Sequence, residues 1–446
     1  MRVKWPARSL MFLPLGQPER PWPFRNRNAT DHPRTSFQTR VLGTRSLRSF
    51  FLDGLLAAGS DVAPLQFLTL YALALGASAA QVGLIATASG FAAALALPVG
   101  VWWVDRSTRL KPLVLLGGRG GAYATLLLLA LLPIALRGAN AVWVLIALAA
   151  LRWFFAMTSH PAWTAMVTKF VPVDVRRLYI SRRMLGMTVV TVIAAPAVGL
   201  VIGRIGGIEG YQAAFALAAV LGFGSTFAYS RIEEPAADAA VEAPPGSYRE
   251  MLRDAAFRRV LAATFLLYAF TMVAGPFFAV YLVRTLGASP EQVGGLAAVD
   301  GTSAVVGQAL AGVLAVRFGT RRLLVGSLAV IPALPLIWWL VDSPLQAAIP
   351  NAIGGGAWAC YNLAIFNVVL ELAPAVNVPR YAAAQQAAVQ LASFVGPLAG
   401  TVVVANWGVR TAFLVSGFGR LLALTILLWP SRASRPREGE DEPAAG

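Results

Sequence analysis

The chain has little thiol or imidazole to offer. One cysteine, Cys360, excludes an internal disulfide and any CxxC metal site, and two histidines, His32 and His160, leave almost no material for a histidine-rich metal centre. Charge is scarce as well: 13% of the 446 residues are charged, against about 25% in a soluble globular chain. Nothing resembles a GxxxxGKS phosphate loop, so ATP-driven chemistry within the chain is not expected, and neither is a metal or a cofactor. What is abundant is apolar surface, since 57% of the residues are hydrophobic. A soluble enzyme, a disordered chain and a collagen-like chain are excluded on that balance.

Apolar stretches recur at about 50–74, 81–104, 112–136, 141–165, 184–204, 211–230, 259–284, 292–316, 322–341, 345–370, 381–405 and 410–430. Each is long enough to cross a ~30 Å hydrocarbon core as a helix. They are rich in Ala, Leu and Gly and do not alternate polar with apolar, as barrel strands would. The expected fold is an all-α membrane protein of twelve transmembrane helices. Residues 1–49 form a basic, Pro-containing tail without a long apolar run, so no signal peptide is expected there. Residues 231–258 are a polar central loop, whose end from Tyr248 to Arg259 reads as a short surface helix. The segment 431–446 is a polar tail.

The net charge of +16 comes mostly from arginine, 34 of the 37 basic residues. These fall in short segments between apolar stretches, which favours a membrane surface over nucleic acid as partner. With the N-terminus in the cytoplasm, 30 basic residues lie on the cytoplasmic side. Four lie outside, Arg137, Arg204, Arg284 and Arg410, and three lie within spans, Arg119, Arg152 and Arg420. Both termini are therefore expected inside, in the plasma (inner) membrane.

The sequence also repeats itself. Leu75-Gly-Ala-Ser-Ala-Ala-Gln81-Val-Gly83 matches Leu286-Gly-Ala-Ser-Pro-Glu-Gln292-Val-Gly294 at seven of nine positions, 211 residues apart. Pro172 and Tyr179 match Pro374 and Tyr381, and Pro196-Ala-Val-Gly199 matches Pro397-Leu-Ala-Gly400, at nearly the same offset. Two parallel halves, 50–230 and 259–430, are expected to rock about a central site. That architecture points to a transporter of a small solute. A polytopic membrane enzyme, or a transporter-derived lipid translocator or sensor, is the alternative.

With these features the sequence resembles the major facilitator superfamily over about 45–430. The family signature between spans 2 and 3, roughly G-x-x-x-D-R-x-G-R-R, has two partial copies here. The first is Val101-Trp-Trp-Val-Asp105-Arg106-Ser-Thr-Arg109-Leu-Lys111, and the second is Gly312-Val-Leu-Ala-Val316-Arg317-Phe-Gly319-Thr-Arg321-Arg322. The resemblance implies secondary transport by alternating access, by a chain acting as a monomer. It also implies a cytoplasmic latch against span 11, carried over to Asp105, Arg106, Arg109, Gly312, Arg317 and Arg321. Plain topological anchoring is the competing reading for the bases. The exporter signature of span 5 survives here only as Pro196 and Gly199.

Ionisable groups inside spans are costly and mark function. Asp61 is eleven residues past Phe50 and Arg152 eleven past Ala141, so each sits ~16 Å deep. The resemblance places spans 1 and 4 at the cavity, and a facing Asp61–Arg152 pair is expected to couple protons to solute. A static salt bridge is the competing reading. His160, two turns from Arg152, and Asp300 in span 8 complete the proposed coupling set. Asp53 reads as a hydrated boundary carboxylate, and Arg119 as a side chain that snorkels to the surface. Trp358, Tyr361 and Asn362 recur at i, i+3, i+4 in span 10 and, with Asn351 and with Tyr268 and Thr271 of span 7, are expected to line the solute cavity. Trp338 and Trp339 read as an interfacial belt.

The basic-residue asymmetry gives the first prediction. Reporter fusions after Arg284 should read outside and fusions after Lys111 inside; a swap of the two would overturn the orientation.

Overall fold

The computed structural model describes residues 44–136, 138–234, 251–374 and 378–428. Most of both expected tails, Arg137, and the larger part of the central loop lie outside the described residues. Of the surface helix expected over 248–259, the described part breaks at 252–254, and 255–259 instead begin the seventh helix, capped by Asp254. Within them the chain is helical and contains no strand. This is what a bilayer demands, because a helix satisfies its own backbone hydrogen bonds.

Twelve helices follow one another among the described residues. Helix α1 covers 45–74, α2 Ala79–Arg106, α3 Lys111–Ala135, α4 Ala139–Phe170, α5 Val173–Ile205 and α6 Gly207–Ser230. The second half repeats the pattern with α7 Ala255–Thr285, α8 Pro290–Phe318, α9 Thr320–Trp339, α10 Ala348–Leu372, α11 Val378–Trp407 and α12 Val409–Leu428. Eleven are long and apolar enough to cross a membrane. The exception, α1, has a similar length but carries Arg45, Arg48, Asp53 and Asp61. Helices α4 and α5 run past the expected apolar limits, to Phe170 and back to Val173. Apolarity marks only the part of a helix that lies in hydrocarbon, and these helices continue beyond it.

The repeated motif has a physical reading. Gly76 and Gly287 hold φ of 94° and 66°, in the left-handed region that favours glycine. The following Ser78 and Ser289 each cap a helix. Gln81 N–H donates to Ser78 Oγ at 3.2 Å and Gln292 N–H to Ser289 Oγ at 3.3 Å, while each glutamine side chain accepts from its serine N–H at 2.9 Å. These are two capping boxes at equivalent places. Just before them, Tyr71 donates to the Leu129 carbonyl at 2.9 Å, tying α1 to α3, and Tyr281 to the Val341 carbonyl at 2.7 Å, tying α7 to the segment just after α9.

The packing repeats too. In each half the second helix packs on the fourth, and the first on the fifth and sixth. The halves then meet along two symmetric seams, α2 on α11 and α5 on α8. Both seams are made by glycine. A Cβ added at Gly294 would lie 2.5 Å from the Ala195 carbonyl oxygen, and one at Gly199 would lie 2.5 Å from that of Pro290. Across the other seam, a Cβ at Gly90 would lie 2.6 Å from the Ser393 carbonyl oxygen, and one at Gly83 would overlap the Thr401 side chain. Small residues allow this close approach where no water drives association.

These contacts sit at one end of the bundle, the end opposite the arginine-rich loops. There a single hydrophobic core joins the halves, with Phe67, Leu70 and Tyr71 of α1 alongside Tyr281, Val293 and Leu296 of α7 and α8. At the arginine-rich end each half keeps its own core. One contains Leu47, Phe50, Met166 and Tyr179, the other Phe257, Leu324, Ile365 and Tyr381. The molecule is therefore closed at one end and parted at the other.

If the glycine seams hold the closed end shut, Gly294→Leu will force α8 from α5. In a Cys360→Ala background, a cysteine at the buried Ala288 position should then react with a polar maleimide several-fold faster. An unchanged rate in folded protein would show that the seam is not the gate.

Candidate functional site

A cavity of about 430 Å³ lies between α1 and the second half. Gln66 and Thr69 of α1 face Thr271 and Phe278 of α7, Asp300 of α8, Trp338 of α9, Asn351 and Trp358 of α10, and Arg420 of α12. Aromatic walls and a few amides and hydroxyls surround two charges of opposite sign. This is the composition of a site for a small organic molecule.

Of the residues expected to line it, Thr271, Asn351 and Trp358 do so. Tyr361 does not: it is 1% exposed in the core of the second half. Its ring instead supports Tyr268, whose centroid is 6.3 Å away, and Tyr268 also rests against Trp358 at 5.6 Å. The Tyr268 hydroxyl donates to Asn362 Oδ1 at 3.5 Å, on the exposed side of α10. Trp338 is corrected in the other direction, since it is 5% exposed and walls the cavity rather than joining a belt; Trp339 is 40% exposed.

Asp61 and Arg152 are joined by an ion pair from Arg152 Nη2 to Asp61 Oδ1. The pair is lopsided: the Asp61 side chain is 41% exposed and that of Arg152 9%. Asp61 precedes the cavity residue Leu65 by four positions, so both lie on one face of α1. Arg152 Nε has no partner. A π-helical turn at Ala63–Phe67, with Pro64 at its start, separates this level from the closed end. Such turns inside a helix often mark functional positions.

His160 is exposed, and its ring lies against Trp163 with centroids 5.9 Å apart. Eight residues of helix separate it from Arg152, about 12 Å by rise, and no described hydrogen bond connects it to the pair. Asp300 lines the cavity near Arg420, which is 2% exposed. Arg420 donates to the Ile331 carbonyl at 3.2 Å through Nη1, and its Nε has no partner. That carbonyl lacks the usual helical donor four residues on, because Pro335 has no N–H, although Leu334 N–H reaches it at 3.3 Å. Arg420 is legible in the sequence as a charge within span 12 at a depth compatible with Asp300, whereas Gln66 does not stand out from sequence pattern.

A second ionic cluster was misread from depth. Asp53 is fully buried rather than hydrated. Arg119 does not snorkel, since both its terminal nitrogens donate to Asp53, the Nη2 bond to Oδ2 measuring 3.2 Å. Arg183 of α5 adds a third guanidinium bond to Asp53 Oδ2 at 3.1 Å, and Ser225 Oγ donates to Oδ1 at 2.8 Å. The Arg183 guanidinium lies 4.1 Å over the Phe50 ring and crosses α1 at Gly54, where a Cβ would come within 2.7 Å. One carboxylate thus binds α1, α3, α5 and α6 together.

The latch residues lie at the parted end. Asp105, Arg106 and Arg109 are exposed, with Arg106 over the Trp102 ring at 4.5 Å. Arg317 and Arg321 are exposed as well, and a Cβ at Gly312 would meet nothing within 4 Å. In this conformation α11 meets α2 at Gly83 and Gly90, far along the helix from Asp105.

Comparison with known proteins gives the same picture. A family model for the Major Facilitator Superfamily matches residues 50–274 and 260–445. The chain is 30% identical over 121 residues to Multidrug resistance protein MdtG of Erwinia billingiae (strain Eb661), a match spanning 27% of this chain and 29% of that relative. Its fold is similar to a POT family transporter in complex with 5-aminolevulinic acid (TM-score 0.68, 13% identity, 89% of this chain and 97% of that one). It is similar as well to a D-xylose-proton symporter (0.64, 15%, 85% and 96%). A third is a bacterial homologue of the human lysosomal transporter Spinster, in an inward-facing and occupied conformation (0.62, 17%, 88% and 95%).

The two ionic sites differ in burial, and their variants should differ accordingly. Asp53→Ala strands two guanidiniums and should cost about 3–5 kcal/mol, whereas Asp61→Ala leaves a cation beside an open cavity and should cost less. Thermal unfolding in detergent reads both; equal losses would sink the distinction.

Proposed function

The chain belongs to the Major Facilitator Superfamily, and from that premise we propose that it carries a small organic solute by alternating access, coupled to protons, with both termini in the cytoplasm of a plasma-membrane-embedded protein. The observation that carries this reading is a cavity between two halves that share a core at one end only. Rocking about the glycine seams would expose the cavity to each side in turn. The arginine-rich end is taken as cytoplasmic from the distribution of basic residues.

Trp338, Trp358 and Phe278 favour a solute with apolar or aromatic surface. Gln66, Thr271 and Asn351 supply hydrogen bonds that orient it. The relative named as a multidrug resistance protein is compatible with an amphipathic solute of this kind, and export is one direction the test below would read.

Coupling is assigned to Asp61 and Arg152. A carboxylate in a low dielectric that loses its guanidinium partner takes up a proton, and gives it up when the partner returns. If α1 and α4 shift as the halves rock, protonation and access become linked. Asp300 is the carboxylate that lines the cavity itself. His160 has weaker support, since eight residues of helix separate it from the pair. Asp105, Arg106, Arg109, Arg317 and Arg321, with Gly312, would latch the parted ends when they close.

In liposomes, Asp61→Asn should abolish gradient-driven accumulation and spare downhill exchange. Arg152→Ala should harm folding more, because it leaves a carboxylate without its partner, and the double variant should fold better than Arg152→Ala alone. Full accumulation by Asp61→Asn would make the pair a static brace. Lipid scrambling or product formation in place of solute flux would favour a translocator or an enzyme.

A further inference from the structure

A second and larger cavity, about 530 Å³, lies wholly within the second half, where α8, α9 and α10 meet. It shares no lining residue with the central cavity. Its walls are apolar, made by side chains such as Leu310, Leu314, Phe318, Val330 and Ile353. The two polar groups within are already satisfied by the protein. Ser327 Oγ donates to the Leu324 carbonyl at 2.9 Å, and the Cys360 thiol is directed to the Gly307 carbonyl at 3.8 Å. A polar solute would find no hydrogen-bonding partner in the shaft, so the occupant is apolar there.

The mouth has the opposite character. Arg322 lines it at the arginine-rich end, and Arg317 and Arg321 stand exposed beside it. No acidic residue occurs between Asp300 and Asp342, and on α10 the first acid, Glu371, comes eleven residues after Cys360. The rim is therefore uniformly cationic. From Gly307 to Phe318 the groove follows α8 for about 16 Å, a depth suited to an acyl chain. Leu310, Val313 and Val316 on the same helix are 53%, 63% and 90% exposed, which places apolar surface beside the opening.

We propose that this groove binds an anionic phospholipid, with an acyl chain between α8, α9 and α10 and the phosphate on Arg322, assisted by Arg317 and Arg321. Charge complementarity selects the lipid. The stem of Arg322 follows the groove while its guanidinium reaches the headgroup level. Glycine keeps the shaft open: a Cβ at Gly326 would meet nothing within 4 Å, so a larger side chain there projects into the groove without a backbone clash.

The test uses the full chain in vesicles of phosphatidylcholine containing a trace of phosphatidylglycerol with a photoactivatable acyl chain. Cross-linked sites are mapped by mass spectrometry. Adducts should concentrate on 307–330 and 353–360, and unlabelled phosphatidylglycerol should compete them away while phosphatidylcholine does not. Arg322→Gln should lower the yield about fivefold, the effect of removing one basic residue near a lipid phosphate. Gly326→Leu should abolish adducts while leaving the thermal midpoint in place, because leucine is the better helix former. Equal competition by phosphatidylcholine would mean a groove filled by any lipid and would overturn the proposal. So would adducts spread evenly around the bundle, or an unchanged yield with Arg322→Gln.

Discussion

The closeness with which glycine lets the two halves approach is the constraint on which the rest depends. At Gly199 and Gly294 on one seam, and Gly83 and Gly90 on the other, the backbone of one half touches the other with no room for a methyl group. Each seam pairs the second helix of one half with the fifth of the other, so the two seams are symmetric copies and a rotation about one implies a rotation about both. Because the contacts gather at one end, the opposite ends separate and the cavity acquires its opening. A bulkier seam would hold the halves apart along their length, and the cavity would have no closed end.

Charge is distributed in keeping with that geometry. Around Asp53, three guanidinium bonds and a serine hydroxyl fix four helices of the first half, on a carboxylate with no exposure at all. Breaking it would strand ions in a low dielectric, so this half moves as a unit. The Asp61–Arg152 pair sits further along the same helix, beside the cavity and 41% open at the carboxylate. A partner that solvent can reach is separable at far lower cost than one that is sealed. The first half therefore holds one ionic site suited to bracing and another suited to change.

Much of the fold was legible in the residues. Length and apolarity gave the spans, and the Leu75–Gly83 repeat located equivalent turns that prove to be matching capping boxes. The facing of Asp61 and Arg152 followed from their equal depth together with the family resemblance, which places spans 1 and 4 at the cavity. Depth failed for Arg119, whose fate is decided by an aspartate 66 residues away and an arginine on yet another helix. Tyr361 failed for a geometric reason. Steps of three and four residues put Tyr361 and Asn362 on opposite flanks of Trp358, about 100° apart, and the stripe is wide enough that one flank enters the core while the other meets solvent. Gln66 carries no local pattern, and Arg420 is legible only as a charge within span 12; that both reach the cavity is a matter of how α1 and α12 pass it.

The halves repeat in backbone but diverge in chemistry. The first half pairs its buried carboxylate and the carboxylate at its cavity face with arginine. In the second, Asp300 and Arg420 line the same cavity without an ion pair between them, and Arg420 holds only the Ile331 carbonyl, whose i+4 donor is lost at Pro335. An arginine so buried, with its Nε unbonded, is a standing electrostatic demand in a low dielectric. The aromatic walls also belong to the second half: Phe278, Trp338 and Trp358 all come from it. On the proposed reading, the half with satisfied charges carries the proton step, and the half with an unsatisfied cation and aromatic walls meets the solute. The pseudo-symmetry then supplies the motion, and the departures from it supply the difference between what moves and what is bound.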